Sequence, residues 1–234
     1  MLIQLKLWLK NSNNPLATWL FQFAKSLRNP QIIVIPVLHA SLYYLHYFIK
    51  ELCHELVRIF YYTPLFKSQI KGSKKRLYLY SGMPQILGKL KIECKDDVRI
   101  SGISTLCGRV SNEREPLLSI GNNVDIGWQN AFSVGRTIIL EDDVRLAGRV
   151  FLAGFPGHPI DCDRRANSES DDESQIGDII IKRGAWLGTG VTVLGGVTIG
   201  EGAIIGAGSV VTKDIPDFTI AAGNPAKVVK KIKG

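Results

Sequence analysis

The 234 residues are enough to bury one substantial core plus an appendage, and the net charge of +8 is unevenly spread along them. Residues 1–76 carry eleven Lys/Arg against Glu51 and Glu55, a balance of +9, and the remainder stands at −1. A third of the chain that is basic, apolar and aromatic together points to an anionic membrane surface; with no zinc-finger spacing and no stacking-aromatic motif, it argues against nucleic acid.

In chain order, residues 1–66 read as helical. Leu45, Ile49, Leu52, Leu56 and Ile59 fall on one stripe, with Lys50, Glu51, Glu55 and Arg58 off it. The 18-residue run from Ile32 to Ile49 has no formal charge, but Pro36, His39, Ser41 and His46 dilute it. An interfacial helical hairpin is the preferred reading. A membrane span remains open, as does packing of these helices on the end of the following domain or on a neighbouring subunit. The first ten residues, interrupted by Lys6 and Lys10, do not follow the order of a secretory signal. Cys53, Cys94, Cys107 and Cys162 lack paired spacing and read as reduced thiols of a cytoplasmic protein.

After the basic run Lys67, Lys71, Lys74, Lys75 and Arg76, weak six-residue steps become recognisable near Leu87. Ile92, Val98 and Ile100 belong to them, and the linker Asn112–Pro116 interrupts them. Ile120 and Ile126 resume the step; after a shift of two residues, Val134, Leu140, Leu146 and Leu152 keep it. From Ile181 the period is strict. Ile181, Leu187, Val193, Ile199, Ile205 and Val211 are branched aliphatics, each of the first five followed three places later by Gly184, Gly190, Gly196, Gly202 or Gly208. Such a period fits neither a helix nor an ordinary strand and marks a parallel β-helix of hexapeptide repeats. The aliphatics point inward and the glycines supply the positive φ of tight corners. Ala185, Val191, Val197, Ala203 and Ser209 fill the remaining interior. The expected division is a helical region over 1–78, a β-helix over 79–216 with an excursion loop at 155–178, and a C-terminal segment over 217–234. In that last segment Gly223-Asn224-Pro225 turns and Ala226 to Ile232 forms a short basic helix.

Chemistry concentrates in the excursion loop. His158 is the only histidine beyond residue 54, and it is flanked by Gly157 and Pro159 at the start of the only long loop of the repeat region. Histidine titrates nearest neutrality and suits general-base work. A zinc site of the His-rich kind is excluded by the single histidine of the coil region, and no nucleophile elbow or phosphate-cradling loop is present.

Gly157-His158-Pro159 with Arg164-Arg165, then Ala185-Trp186-Leu187-Gly188, Gly196-Val197-Thr198-Ile199-Gly200, the run Ile204 to Pro216 and Ala222 to Lys227 closely resemble the hexapeptide-repeat acyltransferases. The nearest look is to the galactoside, maltose and nodulation-type O-acetyltransferases and their surface-polysaccharide relatives. The resemblance covers residues 118–232. It implies a left-handed parallel β-helix assembled as a homotrimer with active sites between subunits, acetyl-CoA as co-substrate, and no tightly bound cofactor or metal. His158 would be the catalytic base and the Thr189 N–H an oxyanion donor. Trp186, Ala207, Thr212 and Lys213 would lie along the CoA arm, with Lys227 and Lys230 near its phosphates, where relatives often carry arginines. An acceptor-contacting Asn of the sugar enzymes falls on Gly127 and an acidic contact on Gly135, leaving Gln129, Asn130, Arg164 and Arg165 as weak acceptor candidates. With a longer loop after His158, these departures point to a different, larger acceptor. The expected function is O-acetylation of an envelope or surface glycan, or its precursor, at the inner face of the cytoplasmic membrane. Sugar N-acetylation and a non-catalytic membrane scaffold are the competing readings.

Overall fold

The computed structural model describes residues 2–28, 30, 32–110 and 114–232, so Asn112 and Glu113 of the expected linker lie outside it. The chain divides into two units, 1–52 and 53–234.

The first unit is helical. Helix Leu2–Asn11 is followed by Pro15–Arg28, which starts with proline at its first position and has the Asn14 Oδ1 accepting the Leu16 N–H at 2.9 Å. Leu16, Trp19, Leu20, Phe23 and Leu27 follow the i, i+3, i+4, i+7, i+11 spacing of one face, and the least exposed of them, Leu20, still shows 45% of its surface. Helix Pro36–Val57 begins in this unit and buries none of its residues. No helix among the described residues is long and apolar enough to cross a membrane.

In the second unit a π-helical turn, Arg58–Tyr62, leads into helix Thr63–Gln69. Phe66 and Ile70 are 1% and 3% exposed and join the aliphatic core of the coils, so this short helix plugs the base of the β-helix. Arg58 pairs with Glu55 at 2.5 Å and lies 4.4 Å over the Tyr78 ring.

The coils form three parallel sheets. The first holds Tyr78–Tyr80, Arg99–Ser101, Asp125–Ile126, Arg145–Leu146, Trp186–Leu187, Ile204–Ile205 and Thr219–Gly223. The second runs Gln85–Leu87, Thr105–Gly108, Ala131–Val134, Phe151–Ala153, Thr192–Leu194 and Val210–Val211. The third runs Lys91–Cys94, Leu117–Ile120, Thr137–Leu140, Ile179–Ile181 and Thr198–Ile199. The chain visits the sheets in turn, giving a three-sided left-handed parallel β-helix. The six aliphatics from Ile181 to Val211 are all 0% exposed, and the five corner glycines all have positive φ, between 60° and 85°. Each buried aliphatic contributes on the order of 1.5–3 kcal/mol, so the interior column holds the coils in register.

The coils are already formed at Tyr78–Tyr80, ahead of the point near Leu87 where their period becomes recognisable in the sequence: this strand pairs with Arg99–Ser101, and Leu77 and Leu79 are buried. The early coils hide their period because Ser81, Asp97, Asn123, Gln129, Asp143 and Arg149 take the positive φ held by glycine later on. The expected C-terminal helix is instead a strand, Ala226–Lys231, antiparallel to Thr219–Gly223. Thr219–Gly223 ends its sheet with unpaired backbone groups, the turn at Asn224-Pro225 reverses the chain beside it, and Val228 and Val229 favour extended backbone.

Candidate active site

The excursion loop leaves the end of strand Phe151–Ala153 and returns at Ile179, so it stands on the edge between the second and third sheets. The stem is built of close-packed glycines. A Cβ on Gly135 would lie 2.4 Å from Ile176 Cγ2 and 2.6 Å from the Gly154 carbonyl oxygen, and one on Gly177 would lie 2.1 Å from the Gly196 nitrogen. A side chain at Gly135 has no room here, so the acidic contact expected from the resemblance is absent at that position.

Within the loop, the Asp161 side chain caps a short helix, Cys162–Ala166, by accepting from Asp163 N at 3.0 Å and Arg164 N at 2.9 Å. Arg164 pairs with Glu169 at 2.8 Å and Asp172 at 2.9 Å. Arg165 Nη1 donates to the carbonyls of Pro159 at 3.1 Å and Ile160 at 2.9 Å. Both arginines therefore brace the loop, in place of the open acceptor contacts expected of them. Gly157 has φ +81°, Pro159 is buried, and between them His158 is exposed in the single subunit.

The other candidates divide between two edges. Trp128–Gln129, Gly148–Arg149, Thr189–Gly190 and Ala207–Gly208 stack on the edge between the first and second sheets. Hydrogen bonds join them from Arg149 N to Trp128 O (2.7 Å), Gly190 N to Gly148 O (3.0 Å) and Gly208 N to Thr189 O (2.8 Å). The Thr189 N–H has no hydrogen-bond acceptor among the described residues. Successive coils rise by about 4.8 Å. One coil up, Ala222 stands over Gly206 and pairs with Lys227, and Ile220 stands over Ile204 and pairs with Lys230. The register slips between those pairs, so Val229 is a bulge, and both lysines fall on the outer face where regular alternation would separate them. Thr189 and Ala207 thus stack on one edge, Lys227 stands beside that corner one coil up, and Lys230 lies over Trp186 and Ile204 on the first sheet. Thr212 and Lys213 lie on the edge that carries the His158 loop, above Gly195–Gly196.

Trp186 is 51% exposed on the outer face of the first sheet, in register with Arg145 and Asp125. It lines a cavity of about 440 Å³ with Tyr80, Asp125, Gly127 and Arg145. Burial, reinforced by the nearby Asp125 charge, raises the Tyr80 phenol above its ordinary value, so it stays protonated and donates to Ile126 O at 3.0 Å. Asn130 is withdrawn from acceptor binding. It is 1% exposed, with Nδ2 donating to Gly127 O at 2.9 Å and Oδ1 accepting Val150 N–H at 2.6 Å, so it satisfies buried corner groups. Gln129 stays exposed at its corner.

One constellation gives no sequence signal. Arg109 and Asp171, 62 residues apart, form a buried ion pair against the loop. Among the described residues no three His, Cys, Asp or Glu side chains are grouped to hold a metal ion.

Three sheets, hexad corners and a single histidine-bearing loop define a hexapeptide-repeat protein. Residues 178–213 match the family model described as bacterial transferase hexapeptide (six repeats). It is 40% identical over 121 residues to the polysialic acid O-acetyltransferase of Escherichia coli O1:K1 / APEC, covering 47% of this chain and 37% of that protein. To the galactoside O-acetyltransferase of Escherichia coli strain K12 it is 36% identical over 119 residues, covering 49% and 57%. The match spans less than two thirds of either relative's length. Among solved structures, it superposes on AntD, an N-acyltransferase from Bacillus cereus, in complex with dTDP and 3-hydroxybutyryl-CoA. The TM-score is 0.57 at 21% identity, covering 73% of this chain and 87% of that one, a likeness of fold.

Proposed function

We propose that the protein is a CoA-dependent O-acetyltransferase that moves an acetyl group from acetyl-CoA to a hydroxyl of a sugar in an envelope or surface glycan, or its precursor. The observation that carries this reading is the stack of Thr189 and Ala207 on one edge of the prism, with Lys227 and Lys230 on the strand added to the adjoining first sheet and His158 on the next edge. A thioester carbonyl at Thr189, a pantetheine arm past Ala207 and phosphates at the lysines match the order of groups along CoA. Thr212 and Lys213 flank the arm from the neighbouring edge, and Trp186 bounds the site on the first sheet.

The two edges bound opposite sides of the second sheet. His158 of one copy meets Thr189 of another when edge packs on edge around a threefold axis, the heterologous contact that closes a homotrimer with three sites. In the reaction the imidazole takes the proton of the acceptor hydroxyl as its oxygen attacks the thioester carbonyl. The Thr189 N–H stabilises the tetrahedral oxyanion, and collapse breaks the C–S bond. The departing CoA thiolate receives the proton from the imidazolium. A thioester is already activated, so orientation and one base suffice.

The test is CoA release from acetyl-CoA across hydroxyl sugars, amino sugars and oligosaccharides, with mass spectrometry of the products. Ester formation at a hydroxyl is expected. Products acylated on nitrogen, or no acceptor-dependent release, would overturn the assignment in favour of an N-acyltransferase or a scaffold.

The N-terminal unit is the membrane-facing part of this reading, a peripheral attachment at the inner face of the cytoplasmic membrane. Its support is the exposed apolar face of Pro15–Arg28 beside the +9 balance of residues 1–76. The double substitution W19E/F23E removes a stacked aromatic pair (ring centroids 5.3 Å apart) from that face. It is expected to lower flotation with vesicles containing phosphatidylglycerol by ~10-fold or more, while leaving CoA release unchanged. Equal flotation of both proteins would refute the attachment.

A further inference from the structure

The strand Thr105–Gly108 ends at Arg109, whose side chain is 10% exposed. Its Nε donates to Asp171 Oδ1 at 2.6 Å, its Nη2 donates to the Asp171 carbonyl at 3.0 Å, and its Nη1 reaches the Glu173 carboxylate. Asp171 is buried more deeply still, with its side chain 4% exposed. Its second oxygen, Oδ2, accepts the backbone N–H of Gly157 at 3.1 Å. Gly157 is the residue before His158. The same groups wall a cavity of about 240 Å³ lined by Cys107, Arg109, Phe155, Gly157, Ser170 and Asp171.

A buried carboxylate needs a charge partner and hydrogen bonds on its remaining lone pairs, and Asp171 has both. The arrangement is also directional. The planar guanidinium fixes the carboxylate through one side chain and one backbone contact, and the carboxylate in turn fixes a single N–H of the loop. That N–H belongs to the Pro156–Gly157 peptide, so the clamp fixes the backbone one peptide before His158 and with it the approach of the imidazole. The 14-residue span from Gly157 to Asp171 would otherwise leave this direction to loop entropy.

We propose that Arg109 and Asp171 are positioning residues for His158. The Asp171 carboxylate, locked by Arg109, clamps the Gly157 N–H and holds the imidazole at the angle from which it meets the acceptor hydroxyl. The inference rests on His158 being the general base. A displacement of about 1 Å in such a group can cost on the order of 100-fold in rate.

The experiment is steady-state turnover of the intact protein with acetyl-CoA and the acceptor giving the fastest CoA release in the sugar screen above. Asp171→Asn keeps the shape but turns an amide donor or a weakened acceptor toward Arg109. It is expected to lower kcat about 30- to 100-fold while KM for acetyl-CoA stays within about twofold. In an H158A background the same substitution is expected to change turnover less than about twofold, since no imidazole remains to be positioned. Arg109→Lys keeps a charge but loses the fork, with an expected loss of about 5- to 10-fold, and it carries the test if the Asp171 variant does not fold. If both variants turn over like the wild type while His158→Ala is impaired, the positioning role is wrong and the base assignment stands. An equal loss from Asp171→Asn with and without His158 also overturns it, because the effect is then general to the fold. An unimpaired His158→Ala protein removes the base itself, and this inference falls with it.

Discussion

Replacing His158 with alanine is expected to lower kcat by about 1,000-fold while the dissociation constant for CoA stays within about twofold, to be measured by acceptor-dependent CoA release and by calorimetry. The size follows from what remains. A positioned general base contributes roughly 10²- to 10⁴-fold, whereas the oxyanion donor proposed at Thr189 is a backbone N–H that no side-chain change removes. In the proposed site the imidazole approaches only the thioester end of CoA, and the contacts proposed along the arm and phosphates come from other residues, so cofactor affinity is expected to hold. His158→Gln keeps polarity and hydrogen-bonding capacity but cannot accept a proton at neutral pH. It is therefore expected to be as impaired as the alanine variant. A glutamine protein with near-normal turnover would show that the side chain orients substrate and does not take the proton.

The C-terminal coils are legible because one residue type does one job at a fixed interval. Glycine stands at each corner, and the aliphatic three places before it stands in the interior. The N-terminal coils use the same geometry with different residues. Asp97-Val98, Asn123-Val124 and Asp143-Val144 each put an Asp or Asn at positive φ before a buried valine, with Ile100, Ile126 or Leu146 buried two places on. Short polar side chains tolerate that conformation better than most, so the signal is present in another alphabet. The terminal segment misleads for a different reason. Its lysines suggest a polar helix face, but an open sheet edge one turn away offers backbone partners that no local pattern reveals. At the candidate site, Gly157-His158-Pro159 stands out in the sequence through its motif. Arg109 and Asp171 do not, because only the folding of the loop onto an earlier coil brings them together. Asn130 looks available for the same reason in reverse: Trp128 and Gln129 beside it in sequence are exposed, and only the coil turns its amide inward.

The glycine stem of the loop supplies the largest stability effect, and it separates two kinds of glycine. Gly184 is a motif glycine with φ +67° and nothing within 4 Å of a Cβ added there. Gly184→Ala therefore carries only the left-handed backbone penalty of about 1–2 kcal/mol. Gly177 belongs to no repeat motif and has ordinary backbone angles. A methyl group there would lie 2.1 Å from the Gly196 nitrogen and 2.3 Å from the Gly195 carbonyl carbon. Both are backbone atoms of the next coil, so no side-chain rotation relieves the overlap, and either the coils separate or the loop stem is displaced. Gly177→Ala is expected to cost about 3 kcal/mol or more, a fall in Tm of roughly 6–12 °C or more, against about 2–8 °C for Gly184→Ala. The functional consequence differs as well. Gly177 N–H donates to Gly154 O at 3.0 Å and closes the stem below His158, so displacement there moves the imidazole and lowers kcat. Gly184 lies on the edge between the third and first sheets, remote from both halves of the site, and its variant should turn over normally. Thermal unfolding and CoA release measured on the same two proteins decide the matter. If Gly177→Ala is the milder of the two, the excursion loop does not depend on close backbone packing at its stem.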